Sequence, residues 1–464
     1  MKITELKPSD ENLKKTFLED TIGRTESVCC FVNFLSNIDG QMSIGIDGKW
    51  GTGKTFFVKQ TKMVLDALNP QSQKYSLEGM EDIRKCFTQS TSMKTEELQP
   101  IVTAYYDAWE HDSDDDPILS LVYEIMRDNY NNELVTNKRN WSEIITSISD
   151  VLSKRNVSSL VKSLKGKDIF ESTKDNIELE ELLKQIFLSI LPERGNRLVI
   201  FIDELDRCAP SYSVKLLERV KHFLSLDGVS FVFSINFSEL QNAVKGYYGI
   251  NFDACRYMDR FFDIRMELPP VDMNKYLSAY GLSGHRNMRE EVCVEIMRQM
   301  NLEMREASKF LQMTRAAAFK YTDGDLYEKQ RYFTHDDGTS NLICYCVIVP
   351  IAIGLKMTNS NEFDDFVSGR DSKWLEYILT SERLGDWVTS LLLDNNESYS
   401  KREGMILVSQ NQKIKELYEA IFIKTYENGR DYETKIGKGV FDKDLKYSIL
   451  KAIGFVSKYT DFSK

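Results

Sequence analysis

Four histidines and eight cysteines in 464 residues leave little material for metal or redox chemistry. The cysteines (29, 30, 86, 208, 255, 293, 344 and 346) form no CxxC pair, and the histidines (111, 222, 285 and 335) share no ligand spacing. Both patterns argue against a zinc module and for reduced, mostly buried thiols. An excess of positive charge is also missing. Seventy-one acids against 60 bases give a formal net charge of -11, the opposite of a dedicated duplex-DNA binder, so any nucleic-acid contact would have to be a local patch. Long apolar runs are scarce. Leu342 to Leu355 spans 14 residues and contains Pro350, short of the ~18 needed to cross a bilayer, and Pro350 should kink or break a helix there. The polar, mixed-charge start from Met1 to Glu11 does not read as a leader. The expectation is a cytoplasmic, soluble chain with no transmembrane segment, no internal repeat and no low-complexity tract.

Apolar mass is abundant. Hydrophobic residues make up 42 % of the chain, with 25 Phe and 22 Tyr, which excludes global disorder, and the length suggests more than one domain. Between Gln41 and Pro270, short β-branched or aromatic runs alternate with helical periods, the signature of a parallel sheet flanked by helices. The candidate strands are β1, Met42 to Asp47; β2, Ile101 to Asp107; β3, Leu198 to Asp203; β4, Val229 to Asn236; and β5, Phe262 to Leu268. Residues 117 to 191 read as a helical insertion. Within it, Val151 to Lys167 carries five bases, no acid and apolar residues at helical spacing: a solvated amphipathic helix, or a membrane-surface or nucleic-acid contact. The acidic run Asp112 to Asp116 reads as a solvated loop. After Pro269 and Pro270 helical periods dominate, so the division is an α/β domain over 1–270 and an all-helical region over 271–464.

Gly48-Lys49-Trp50-Gly51-Thr52-Gly53-Lys54-Thr55 fits GxxxxGK[ST], between a predicted strand and a helical run, as the phosphate-binding loop requires. Its glycines let backbone N–H groups turn inward around phosphates at a helix N-terminus. Lys54 would reach the β and γ phosphates, and the Thr55 hydroxyl would ligate Mg²⁺. The second half of such a site is an acid ending a buried strand. Leu198 to Ile202 supply the strand, Asp203 the metal ligand and Glu204 the carboxylate that activates water. The inferred strand order is 5-1-4-3-2, which places β4 between β1 and β3. Asn236, ending β4, then reads either as a γ-phosphate sensor or as a turn-forming residue. Arg260 and Arg256 before β5, Arg207, and Arg305 in a later helix are candidates for stabilising the transferred phosphoryl group, or are surface ion pairs. Trp109 reads as a packing wedge against the insertion, and Asp206 as a residue orienting Arg207 or the metal shell.

These blocks resemble the KAP family of P-loop NTPases, in the additional-strand, catalytic-glutamate division. The resemblance covers roughly Phe17 to Leu268. Glu19-Asp20-Thr21-Ile22-Gly23-Arg24 is similar to the family's ED-x-x-GR segment, and Gly45 to Thr55 to its phosphate loop, including Trp50. Tyr106 to His111 is similar to its F-N-A-W-x-Y block, and Asp203 to Cys208 to its DDLDRC block. Glu204 stands where many members have Asp, and Asn236 where an acid is common. Many members carry transmembrane helices where this chain has the basic segment.

The expected function is Mg²⁺-dependent ATP binding and hydrolysis, coupling nucleotide state to conformational change or assembly. ATP is favoured over GTP because the sequence has no N-K-x-D block. A protein partner or self-association would use the helical region. The resemblance implies a setting in bacterial defence against phage. Two alternatives stay open: a nucleotide-gated scaffold with little turnover, and a DNA-stimulated ATPase using the bases of 151–167.

Overall fold

A computed structural model describes residues 7–72, 77–91, 98–114, 117–130, 195–221, 226–279, 288–317, 319–320, 330–331, 338–384, 388–424, 433–441 and 443–455. The insertion beyond residue 130, including the basic segment, lies outside the described residues. The chain divides into two compact units, residues 6–276 and residues 1–5 with 277–464.

In the first unit five strands form one parallel sheet in the order β2-β3-β4-β1-β5, the order inferred from sequence read from its other end. Their bounds are Met42–Asp47 (β1), Ile101–Asp107 (β2), Arg197–Asp203 (β3), Val229–Ile235 (β4) and Ile264–Glu267 (β5). Strands β3 and β4 are buried at every position, which is why they read as near-continuous apolar runs: helices cover both faces. Helices α1 (Asp10–Leu18), α2 (Thr25–Ser36), α3 (Lys54–Leu68) and α4 (Leu77–Thr91) belong to the N-terminal half of the unit. They are followed by α5 (Pro117–Tyr130), α6 (Pro210–Lys221), α7 (Phe237–Tyr248), α8 (Ala254–Met258) and α9 (Met273–Ala279). One core joins Ala104, Tyr106, Ile200, Ile202, Phe231 and Phe233 to apolar residues of α5, α6 and α7. Each fully buried Ile or Phe among them contributes about 1.5–3 kcal/mol.

Strand β5 is shorter than expected. Phe262 leaves the strand for the core, edge-on to Phe233 and Phe237 with ring centroids 5.3 and 5.0 Å apart. Gly45 in mid β1 is required by the same packing, because a Cβ there would lie 2.5 Å from Phe237 Cζ. Because all five strands run parallel, the loops after β1, β3 and β4 emerge at one edge of the sheet, where open α/β folds bind ligands.

The second unit is helical, with α10 (Met288–Gln299) and α11 (Met304–Ala316) at its start. Short two-stranded ladders, such as Thr434–Ile436 with Gly439–Phe441, are added to an otherwise helical region; there a brief alternating β-branched run outweighs the surrounding helical periods. Pro350 does not break its helix. Gly338–Thr358 runs on for 21 residues, with a π-turn over Cys344–Ile348 just before the proline. The wider turn changes hydrogen-bond partnering where proline has no N–H to give. This helix is long and apolar enough to cross a membrane by length and composition, but 72 % of its apolar window is buried inside the protein.

Candidate nucleotide site

The loop after β1 is held from several sides. The Gly48 N–H donates to the Ile235 carbonyl of β4 at 3.2 Å. Gly51 and Gly53 both have φ of +88°, so the chain turns left-handed twice before α3 begins. Buried Arg24, from the segment before α2, donates through Nη1 to the Thr52 carbonyl at 2.8 Å. Lys54 is buried and donates to the Gly48 and Lys49 carbonyls at 2.6 and 3.3 Å, folding back over its own loop. Burial pulls the Lys54 pKa down, while Asp206 first, then Asp203 and Glu204, work against that fall. Trp50, half exposed at the loop tip, donates through Nε1 to Asp206 Oδ2 at 2.7 Å.

The acidic edge comes from β3. Asp203 is fully buried. Its Oδ1 accepts the Glu204 N–H at 3.0 Å and its Oδ2 accepts the Tyr105 hydroxyl of β2 at 3.0 Å. Glu204 adopts φ of +61° between the strand and a 3₁₀ turn over Leu205–Arg207, a left-handed conformation that costs a non-glycine residue on the order of 1–3 kcal/mol. One Glu204 carboxylate oxygen accepts the Thr55 hydroxyl at 3.4 Å. The other pairs with Arg207 Nε. Burial, then Asp203, pushes the Glu204 carboxyl up to about 7. Burial also raises Asp206, against the pull of Lys54 and Trp50.

The structure therefore brings together Gly48 to Thr55, Asp203 and Glu204. Asp206 meets Trp50 rather than orienting Arg207. Trp109, expected as a wedge, carries the Arg207 guanidinium 5.4 Å over its exposed ring. Asn236 caps α7, its side chain accepting the Glu239 N–H at 3.4 Å. Arg256 and Arg260 are exposed before β5, and among the described residues no side-chain contact links Arg260 to the loop. Arg305 belongs to the second unit. Asp112 and Asp114 are engaged rather than merely solvated: Asp112 accepts the Ala209 N–H at 2.9 Å, and Asp114 accepts the Ser120 hydroxyl at 2.6 Å.

Sequence reasoning missed Tyr105 and the Trp50–Asp206 bond. Tyr105 lay one residue outside the motif block that begins at Tyr106. Its signal was strand parity, since Tyr105 and Asp107 share a face of β2 and Asp107 pairs in register with Asp203.

The KAP family P-loop domain matches residues 31–309 of the chain. No curated protein matches it. Among solved structures, the chain is similar to the Aeropyrum pernix ORC1 protein in complex with DNA, at 13 % identity and a TM-score of 0.29, covering 98 % of this chain and 94 % of that one. So loose a superposition assigns neither ligand nor activity. The family match takes in the phosphate loop, the acidic strand end and the sheet that joins them, and on it the chain belongs to the KAP family of nucleotide-binding P-loop NTPases.

Proposed function

We propose that the protein binds ATP with Mg²⁺ and hydrolyses it. The observation that carries this reading is the 3.4 Å contact between the Thr55 hydroxyl and Glu204, which joins the start of α3 to the end of β3 across 149 residues of sequence. Phosphates seated on the loop would take Lys54 from the Gly48 and Lys49 carbonyls it now holds. Thr55 and Asp203 offer one hydroxyl and one carboxylate, hard oxygen donors of the number Mg²⁺ takes from protein when phosphate and water complete its shell. The metal, when bound, offsets phosphate charge. Glu204, released from Thr55, would accept the proton of the attacking water. Of the candidate arginines, Arg207 is the one that pairs with Glu204.

ATP rather than GTP is supported by the lack of an N-K-x-D block in the sequence. Turnover would serve conformational change or assembly through the helical unit, and the family resemblance points to bacterial antiviral defence as the setting. The test is Glu204→Gln: ATP uptake is retained, while turnover falls by about 10²–10⁴-fold, the range lost with a general base. Turnover unchanged by the substitution would instead support a nucleotide-gated scaffold.

A further inference from the structure

The Asp203 carboxylate is gripped from the neighbouring strand. In the parallel pairing of β2 with β3, Tyr105 stands opposite Phe201 and Asp107 opposite Asp203. These four side chains therefore share one face of the sheet, the face opposite to the core built on Tyr106 and Ile202. From one pleat back, the Tyr105 phenol reaches forward and donates to Asp203 Oδ2 at 3.0 Å, while the Glu204 N–H fills Oδ1 at 3.0 Å. With one donor on each oxygen, rotation of the carboxylate plane would break a hydrogen bond in a fully buried position. Tyr105 is itself fixed at both ends. Lys59 Nζ lies 4.4 Å over its ring from α3. Its backbone N–H donates to Asp128 Oδ2 at 2.9 Å, and Lys62, also on α3, pairs with Asp128 at 3.4 Å and with Asp66 at 3.0 Å.

We propose that Tyr105 is a positioning residue for the magnesium-holding carboxylate: its hydroxyl sets the plane of Asp203 and thereby the Mg²⁺ affinity of the nucleotide site. The inference rests on the reading of that site as a Mg²⁺–ATP site. Hydrogen-bond partners that orient a metal ligand leave the ligand set intact when removed but weaken metal binding, by about 10–100-fold. Tyr105→Phe removes one oxygen and keeps the ring under Lys59.

The experiment titrates Mg²⁺ into the full chain with a fluorescent, non-hydrolysable ATP analogue and reads analogue binding rather than turnover. In wild type, Mg²⁺ tightens binding. In Tyr105→Phe the metal-free affinity for the analogue is unchanged and the Mg²⁺ midpoint rises about tenfold. Asp203→Asn abolishes the Mg²⁺ response. A Tyr105→Phe midpoint equal to wild type overturns the inference while leaving the site intact. A fall in metal-free affinity as large as the fall with metal also overturns it, because that is the mark of a packing role. Wild type that takes up the analogue with no Mg²⁺ response removes the metal site itself, and Tyr105's role with it.

Discussion

Glu204 is held by groups that do not suit its charge. Burial and Asp203 favour its neutral form, and Arg207 only partly opposes them, so its carboxyl titrates at about 7 instead of the ordinary 4.5. A carboxyl whose folded pKa is raised binds its proton more tightly in the folded state. The resulting stability is complete below the unfolded pKa and is lost as pH rises through the folded one. Between pH 4.5 and 7, then, the wild-type protein loses stability through Glu204. A glutamine at that position stays neutral throughout. In chelator and without nucleotide, Glu204→Gln is expected to melt on the order of 2–5 °C above wild type at pH 8, the shift that about 1–2 kcal/mol gives a unit of this size. The difference should close by pH 5. A variant that melts at or below wild type at pH 8 would mean that the ion pair with Arg207 outweighs burial.

At the level of elements, the sheet was legible because its strands are buried on both faces and the intervening helices are amphipathic. Periodicity alone separated Leu198 to Asp203 and Val229 to Asn236 from their flanks, and the motif positions then set the strand order. Strand ends were less legible, since Phe262 obeys ring packing and not the ladder. The phosphate loop and the Asp203–Glu204 pair were readable as local motifs. The Trp50–Asp206 bond was not, because it joins residues 156 apart and no local pattern records it. Pro350 misled for a related reason: the π-turn that accommodates it depends on packing around Cys344–Ile348. Gly45 tests how tightly the elements fit. A methyl there would lie 2.5 Å from Phe237 Cζ and 3.2 Å from Phe262 Cδ1, both rings locked in the core. Gly45→Ala should cost about 1–3 kcal/mol in urea unfolding, the range for overpacking. Gly338→Ala is the contrast, with nothing within 4 Å of the added methyl; it should be neutral or stabilising by about 0.4–1 kcal/mol. Equal effects at the two positions would show that the Phe237–Phe262 pair yields easily.

For the whole molecule, every group assigned to the loop, the acidic strand end and the Tyr105 support falls inside the unit of residues 6–276. The chain leaving the sheet is fastened within that unit as well. Asp272 donates its N–H to the Ile22 carbonyl at 3.0 Å, and Lys275 pairs with Asp20 at 2.5 Å. Two residues beyond Ile22, Arg24 holds the Thr52 carbonyl of the phosphate loop. A fragment must therefore include α9 to keep the loop's support. The family match runs further, to residue 309, across α10 and into the start of α11. Support for the loop predicts that binding does not need them. A fragment of residues 1–279 should bind the Mg²⁺-bound ATP analogue within about threefold of the full chain, a difference under ~0.7 kcal/mol. A fragment ending at 268 should bind it more weakly, having lost both contacts to the segment around Asp20 and Ile22. A fragment ending at 279 that folds cooperatively, as read by its thermal transition, yet binds no analogue would show that the second unit supplies part of the site.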